Sequence, residues 1–283
     1  MVRQDVERIA EAATHWPPPA LRPFVESVVG YHYAGFEPGV HRGLPSRHLT
    51  IVVSLDGPLD MTLPDGRQTA LTLDALVSGL HAAPVAIHHD GLQHGVQLQL
   101  TPLGARTLLG MPAAELAHRV VPLDDVLGTA GELGDRVATA GSWTERFAAL
   151  DDVLGRAVAR TSPPRPPRAE VAYVFDRLVR AAPHGPGVGA LAAEVGWSRR
   201  HLAEQFRREY GLPPKLVARI LRFEQARGLL ARPRRPALAD VAAVCGYADQ
   251  AHMTHDWVAF AGSSPLAWLA EEQLPFVQDE VAA

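Results

Sequence analysis

Apolar residues follow two different rhythms along this chain. From about residue 169 onward they recur at intervals of three and four, the spacing of helices with one buried face, whereas between about residues 50 and 100 they alternate or form short β-branched runs. The helical rhythm predicts helices over 169–182, 188–195, 199–210, 214–230, 238–245, 250–261 and 265–272. At 1.5 Å rise per residue the fourth of these is about 25 Å long, enough to hold two units apart. In the first half, 50–55 is a β-rich run, 61–63 and 68–73 flank an Asp65-Gly66 turn, and 96–100 reads Val, Gln, Leu, Gln, Leu with period two. Helical spacing then returns over 102–118, 123–139 and 142–160, the last behind Ser142 as cap. The segment Thr161-Ser-Pro-Pro-Arg-Pro-Pro-Arg168 has four prolines in eight residues and reads as a stiff connector. The pattern therefore predicts an α+β chain: a β-rich then helical domain over 1–160, containing a small barrel or sheet, a linker at 161–168, an all-α seven-helix domain over 169–272, and an acidic tail at 273–283.

The helical domain repeats itself. With Ser198 and Asp249 aligned as caps, Leu202 falls on Met253, Phe206 on Trp257, Gly211 on Gly262 and Pro214 on Pro265, all at an offset of 51. Upstream of the caps an offset of 50 pairs Leu191 with Val241, Ala192 with Ala242, Gly196 with Gly246 and Trp197 with Tyr247. Each copy has the logic of a helix-turn-helix: a small Ala for a close crossing, Gly for the turn, then Ser or Asp to cap the second helix. The apolar positions four and eight residues after the cap face inward. The other side of that helix is left open to a DNA major groove. The alternative reading of such spacing is a pair of helical hairpins in an ordinary bundle.

Charge favours DNA. The net charge is −4, but residues 163–270 carry 15 Lys and Arg against 9 Asp and Glu, while 1–162 carry 12 against 18. Phosphate attraction depends on where charge sits, and the basic excess sits on the repeat. One cysteine, Cys245, excludes an internal disulfide framework and a zinc finger. Residues 1–16 lack an apolar core of the kind export signals carry, and no run approaches the roughly 18 apolar residues of a membrane span, so a cytoplasmic protein is expected.

The second unit, Ala242-Ala-Val-Cys-Gly-Tyr-Ala-Asp-Gln-Ala-His-Met-Thr-His-Asp-Trp257 through Gly262-Ser-Ser-Pro265 and Trp268, resembles the signature of the AraC/XylS family of bacterial transcriptional regulators. The resemblance implies a seven-helix domain whose third and sixth helices enter successive major grooves about 34 Å apart. Carried over by position, it places base readout on Arg200, Ala203 and Glu204 in the first unit, with Arg199, Arg207 and Arg208 nearer phosphates, and on Gln250, Ala251, Thr254 and His255 in the second. Arg200 suits guanine, Gln250 adenine and Glu204 cytosine; the competing role of Glu204 is a surface ion pair with Arg207 or Arg208. His255 stands where the family usually has arginine, Trp257 where phenylalanine is usual and Val258 where a basic residue is common. The second unit thus offers fewer cations to DNA. The partners implied are double-stranded DNA, RNA polymerase, a second copy of the chain and a small-molecule effector, with no cofactor and no catalytic residue.

Residues 77–84, 95–105 and 108–112 resemble more loosely the uncharacterised sensor halves of actinobacterial members of that family, which by analogy are small barrels that bind an effector or dimerise. His81, His88, His89 and His94 lie in the β-rich region. Convergence of two or three would make a metal site, as in cupin-type oxygenases, which are the alternative enzymatic reading of the chain. No cupin-like His-x-His with a nearby Glu is present, so scattered surface or core histidines are the expectation. Tyr31, Tyr33 and Phe36 suit barrel packing or a pocket wall. Cys245, one residue before the turn Gly246, is read as packing rather than as a redox switch. The tail is expected to stay off DNA.

Overall fold

A computed structural model describes residues 8–64, 69–160 and 166–272. The Asp65-Gly66 turn, the connector residues 161–165 and the acidic tail 273–283 lie outside the described residues. Among the described residues the amino-terminal domain holds ten strands: β1 Ile9–His15, β2 Val25–Ala34, β3 Gly39–Gly43, β4 Leu49–Ser54, β5 Leu59–Thr62, β6 Ala70–Leu73, β7 Ala75–Ser78, β8 Val85–His89, β9 Gln93–Leu100 and β10 Val120–Pro122. They form a six-stranded sheet, β1-β2-β9-β4-β7-β10, and a four-stranded sheet, β3-β8-β5-β6. Every pairing between them is antiparallel.

Strand alternation gives the larger sheet two distinct faces. Val28, Ile51, Val53, Val77, Val96 and Leu98 point to the outside, into a core shared with α1 Pro102–Leu108, α2 Ala130–Thr139 and α3 Trp143–Arg160. Tyr31, Val52, Leu76, Gln93 and Gln97 point the other way, toward the smaller sheet. The Val-Gln-Leu-Gln-Leu rhythm of β9 thus marks a strand covered on both sides, with Gln93 and Gln99 buried rather than solvated.

Two stretches of helical spacing are interrupted. The 102–118 run breaks after α1 at Gly110, where φ is +70°, and resumes only as a 3-10 turn at Ala113–Leu116. The 123–139 run divides into a 3-10 turn at Leu123–Asp125 and α2. Pro112 fixes its own φ and disfavours the α region at Met111, which keeps the first run from continuing.

The carboxy-terminal domain consists of α4 Ala169–Ala181, α5 Val188–Glu194, α6 Arg199–Tyr210, α7 Pro214–Leu230, α8 Leu238–Val244, α9 Gln250–Ala261 and α10 Pro265–Glu271. Proline at the first position opens α7 and α10, where the missing N–H costs nothing. Leu202, Phe206, Phe223, Met253 and Trp257 are fully buried, and the core they build is continuous with that beneath the larger sheet. Among the described residues no helix is long and apolar enough to cross a membrane.

Candidate DNA-binding surface and effector cavity

The repeat read from residue spacing is a repeat of geometry. Gly196 and Gly246 make the turns at φ +70° and +71°, and Gly211 and Gly262 end α6 and α9 at φ +76° and +75°. These left-handed positions are where glycine avoids a Cβ penalty. The Ser198 hydroxyl accepts from the His201 N–H at 3.2 Å, and Asp249 accepts from the His252 N–H at 2.7 Å. Each turn is closed alike, Trp197 N–H to the Ala192 carbonyl at 2.8 Å and Tyr247 N–H to the Ala242 carbonyl at 3.0 Å.

Inward anchoring of Leu202 and Phe206, and of Met253 and Trp257, turns the opposite faces of α6 and α9 to solvent. Arg199, Arg200, Glu204, Arg207 and Arg208 are exposed on α6, and Ala203 is half-exposed between them. Gln250, Ala251 and His255 are exposed on α9, with Thr254 half-exposed. Glu204 Oε1 accepts from Arg208 Nη2 at 2.6 Å, the ion pair that competes with a role at cytosine. Arg199, Arg200 and Arg207 have no acidic partner among the described residues. Several other arginines of the basic segment serve the fold. Arg219 donates twice to the buried Asp256, at 3.1 and 2.7 Å; Arg222 donates to the Gly246 carbonyl at 3.2 Å; and Arg227 is itself buried. The charge free of the fold is therefore smaller than a count of residues gives, and of the two solvent-facing helices α6 carries more of it than α9.

Between the two sheets lies a cavity of about 70 Å³. Its walls include Tyr31, Val52, Met61, Leu76 and Ile87, with His41, His48, His81 and Gln93 among its polar members and, among the described residues, no Lys, Arg, Asp or Glu. His81 Nε2 and Gln93 Nε2 are buried there without a hydrogen-bond partner among the described residues. Burial and the neighbouring His118 pull His81 down to about 4, while a backbone hydrogen bond at Arg119 works the other way. A neutral ring that donated through Nδ1 to that backbone carbonyl would leave Nε2 as a bare acceptor. Desolvation, aided by Arg47, holds His48 at about 3.

The four histidines of the β-rich region do not converge. His81 faces the cavity, His88 Nε2 meets Thr62 Oγ1 at 2.9 Å, His89 Nδ1 accepts from the Gly91 N–H at 3.2 Å, and His94 Nδ1 lies 2.8 Å from Asp56 Oδ2. Tyr33 and Phe36 pack with Val29 and Tyr31 in a small core, and Tyr31 also forms cavity wall. Cys245 is fully buried, and desolvation raises its thiol to about 11, which suits a packing residue.

A family model described as "Helix-turn-helix domain" matches residues 191–271, and one described as "Domain of unknown function (DUF6597)" matches residues 13–122. The first match spans both turns and both capped helices. The carboxy-terminal domain is an AraC-type helix-turn-helix domain. An uncharacterized HTH-type transcriptional regulator of Bacillus subtilis (strain 168), YbfI, is 32% identical over 87 residues, which are 31% of this chain and 31% of that protein. ToxT from Vibrio cholerae O395 superposes with a TM-score of 0.51 at 9% identity, covering 86% of this chain and 96% of that one. The same protein bound to (E)-4-(8-methylnaphthalen-1-yl)but-3-enoic acid gives 0.51 at 9%, covering 86% and 98%. At that identity the likeness is one of fold: a two-sheet domain followed by the AraC-type domain.

Residue spacing gave no signal for how the AraC-type domain meets the sheets. Arg106 of α1 grips Glu209 of α6 through Nε at 2.6 Å and Nη2 at 2.5 Å. Arg47 donates to Glu224 of α7 through its backbone N–H at 2.9 Å and its Nη1 at 3.1 Å. At the far end, His41 Nδ1 lies 2.8 Å from Glu272 Oε1 and Arg42 Nη2 donates to Glu271 Oε2 at 2.7 Å. These partners lie 103 to 231 residues apart, beyond the reach of any local pattern.

Proposed function

We propose that this chain is a sequence-specific transcriptional regulator that places α6 and α9 in successive major grooves of double-stranded DNA. The observation that carries the reading is the duplicated unit, which presents two solvent-facing helices of equal length behind equivalent turns and caps. On this reading Arg200 reads guanine and Gln250 reads adenine at base edges. Ala203, Ala251, Thr254 and His255 shape the fit, while Arg199, Arg207 and Arg208 meet phosphates. Glu204 serves first to hold Arg208. The protein would work in the cytoplasm, with RNA polymerase and a second copy of the chain as its protein partners.

The test is a mobility-shift assay with DNA from upstream of the protein's own gene, at fixed salt, against unrelated competitor. A specific complex is expected, with Arg200→Ala weakening it by about 1–3 kcal/mol and relaxing preference at one base pair. Equal displacement by own and unrelated DNA would argue for a bundle of another purpose.

The cavity supports an effector as the controlling signal. ToxT binds a carboxylic acid; here the absence of cationic lining residues favours an uncharged molecule, one offering a donor to His81 Nε2 and an acceptor to Gln93 Nε2. His41 both lines the cavity and holds Glu272 just after α10. An occupant that moves His41 would thereby alter the hold on the second helix-turn-helix unit.

A further inference from the structure

Outside the cavity, on the opposite face of the larger sheet, three side chains with metal-binding chemistry meet. His32 of β2 and His94 of β9 are directly opposed in the antiparallel register, and their rings stack with centroids 4.4 Å apart at 30°. Asp56 follows β4 and brings its Oδ2 to 2.8 Å from His94 Nδ1. One donor atom from each of the three lies within 4.8 Å of the others. At bond lengths of about 2.0–2.2 Å two donors on a tetrahedral ion stand about 3.4 Å apart, so side-chain rotations that move a donor by about 1–2 Å would close the set.

The surroundings hold these groups in place and leave one side open. The Leu55 N–H donates to the His94 carbonyl at 2.9 Å, which ties the turn bearing Asp56 to the strand bearing His94. The Trp143 ring stands edge-on to His94, with centroids 5.6 Å apart, and its Nε1 donates to Glu11 at 2.7 Å. That ring fits only because residue 30 is glycine: a Cβ there would come within 2.3 Å of it. Arg146 lies over the Trp143 ring and donates to the Val137 carbonyl, and its charge still reaches His94. Asp56 and His94 also border an open cleft shared with Asp60, His88 and Asp90. A bound ion would have solvent-accessible positions facing that cleft.

We propose that His32, Asp56 and His94 form a binding site for a divalent first-row transition metal, zinc(II) in the first instance. Two imidazoles and one carboxylate suit borderline ions of this class, and the hard ions calcium and magnesium, which want oxygen ligands, are disfavoured. Three protein ligands with an open side describe a site that can exchange water or take a further ligand, unlike the closed four-ligand sites of structural zinc. The ion would join β2, β9 and the β4–β5 turn, next to the start of α3. The inference is independent of DNA binding and of any occupant of the cavity between the sheets.

The test uses the full chain without an affinity tag, stripped with chelator and titrated with zinc(II) by calorimetry and with cobalt(II) by visible absorption. One equivalent should bind, and zinc should raise the thermal midpoint, since a ligand that binds only the folded state stabilises it. His32→Ala, Asp56→Asn and His94→Ala should each weaken binding by at least about tenfold and abolish the thermal shift. Their metal-free thermal midpoints should stay near that of the parent chain, which separates loss of a ligand from loss of fold. His88→Ala, in the same cleft, should bind as the parent does. Failure of the parent chain to bind either metal at about 1 mM, an affinity weaker than about 4 kcal/mol, would overturn the proposal. So would equal binding by the parent and all three variants, or loss of binding in His88→Ala alone.

Discussion

On the proposed DNA-binding surface the two units present different residues. Arg199, Arg200 and Arg207 stand exposed on α6 without acidic partners among the described residues, whereas the corresponding face of α9 offers Gln250, Thr254 and His255. Each neutralised phosphate contributes about −0.9 to the slope of log K against log salt. Arg207→Ala is therefore expected to flatten that slope by about one unit and His255→Ala to leave it nearly unchanged; equal effects would show that the two units share the electrostatic work. Buried histidines contribute to the response to acid. Folding lowers His81 to about 4 and His48 to about 3, so both are neutral in the folded chain while the unfolded chain protonates near the usual 6.5. The stability they confer is complete above about pH 6.5 and is lost as pH falls toward the folded values. Thermal midpoints measured from pH 7.5 down to 4.5 should decline, and less steeply in His81→Gln; parallel curves would mean that His81 is not the group protonated.

At the scale of elements, the two copies of the helix-turn-helix unit differ in what touches them. Gly211 and Gly262 hold the same left-handed conformation, but a Cβ on Gly211 would come within 2.2 Å of the Ala117 Cβ, while one on Gly262 would meet nothing nearer than 3.6 Å. Gly262→Ala should cost about 1–2 kcal/mol from backbone conformation alone. Gly211→Ala should cost clearly more, because it also presses on the segment after the 3-10 turn at Ala113–Leu116; urea unfolding that found the two equal would contradict the docking of α6 described above. The contrast also shows what was legible in the sequence. Caps, turn glycines and the positions of Leu202, Phe206, Met253 and Trp257 are local signals, and all seven helices of this domain could be read from them. Six strands carried no such signal. In β2 the run Ser27-Val-Val-Gly-Tyr-His-Tyr33 is covered on both faces and shows little polar alternation, and β1, β3, β7, β8 and β10 are too short or too mixed for period two to stand out. The cavity and the His32–Asp56–His94 group depend on strand register across long separations, which composition and periodicity do not contain.

The whole molecule is held together at polar contacts as well as by a shared core. Arg106 and Glu209 are largely shielded from solvent, so removing the arginine leaves a carboxylate without its main partner. Arg106→Ala should lower stability by about 1–3 kcal/mol and speed tryptic cleavage after Arg168, beside the proline-rich connector; unchanged cleavage would mean that the pair does not hold the AraC-type domain against the sheets. Both helix-turn-helix units pack against α7, and this geometry leads to the central proposal, that α6 and α9 read DNA together. The most direct measurement is in vitro selection of bound duplexes from a random pool. Enrichment of two short motifs with centres about 10–10.5 base pairs apart is expected, with Arg200→Ala erasing one motif and Gln250→Ala weakening the other. A single short motif unaffected by Gln250→Ala, or no enrichment at all, would contradict the account.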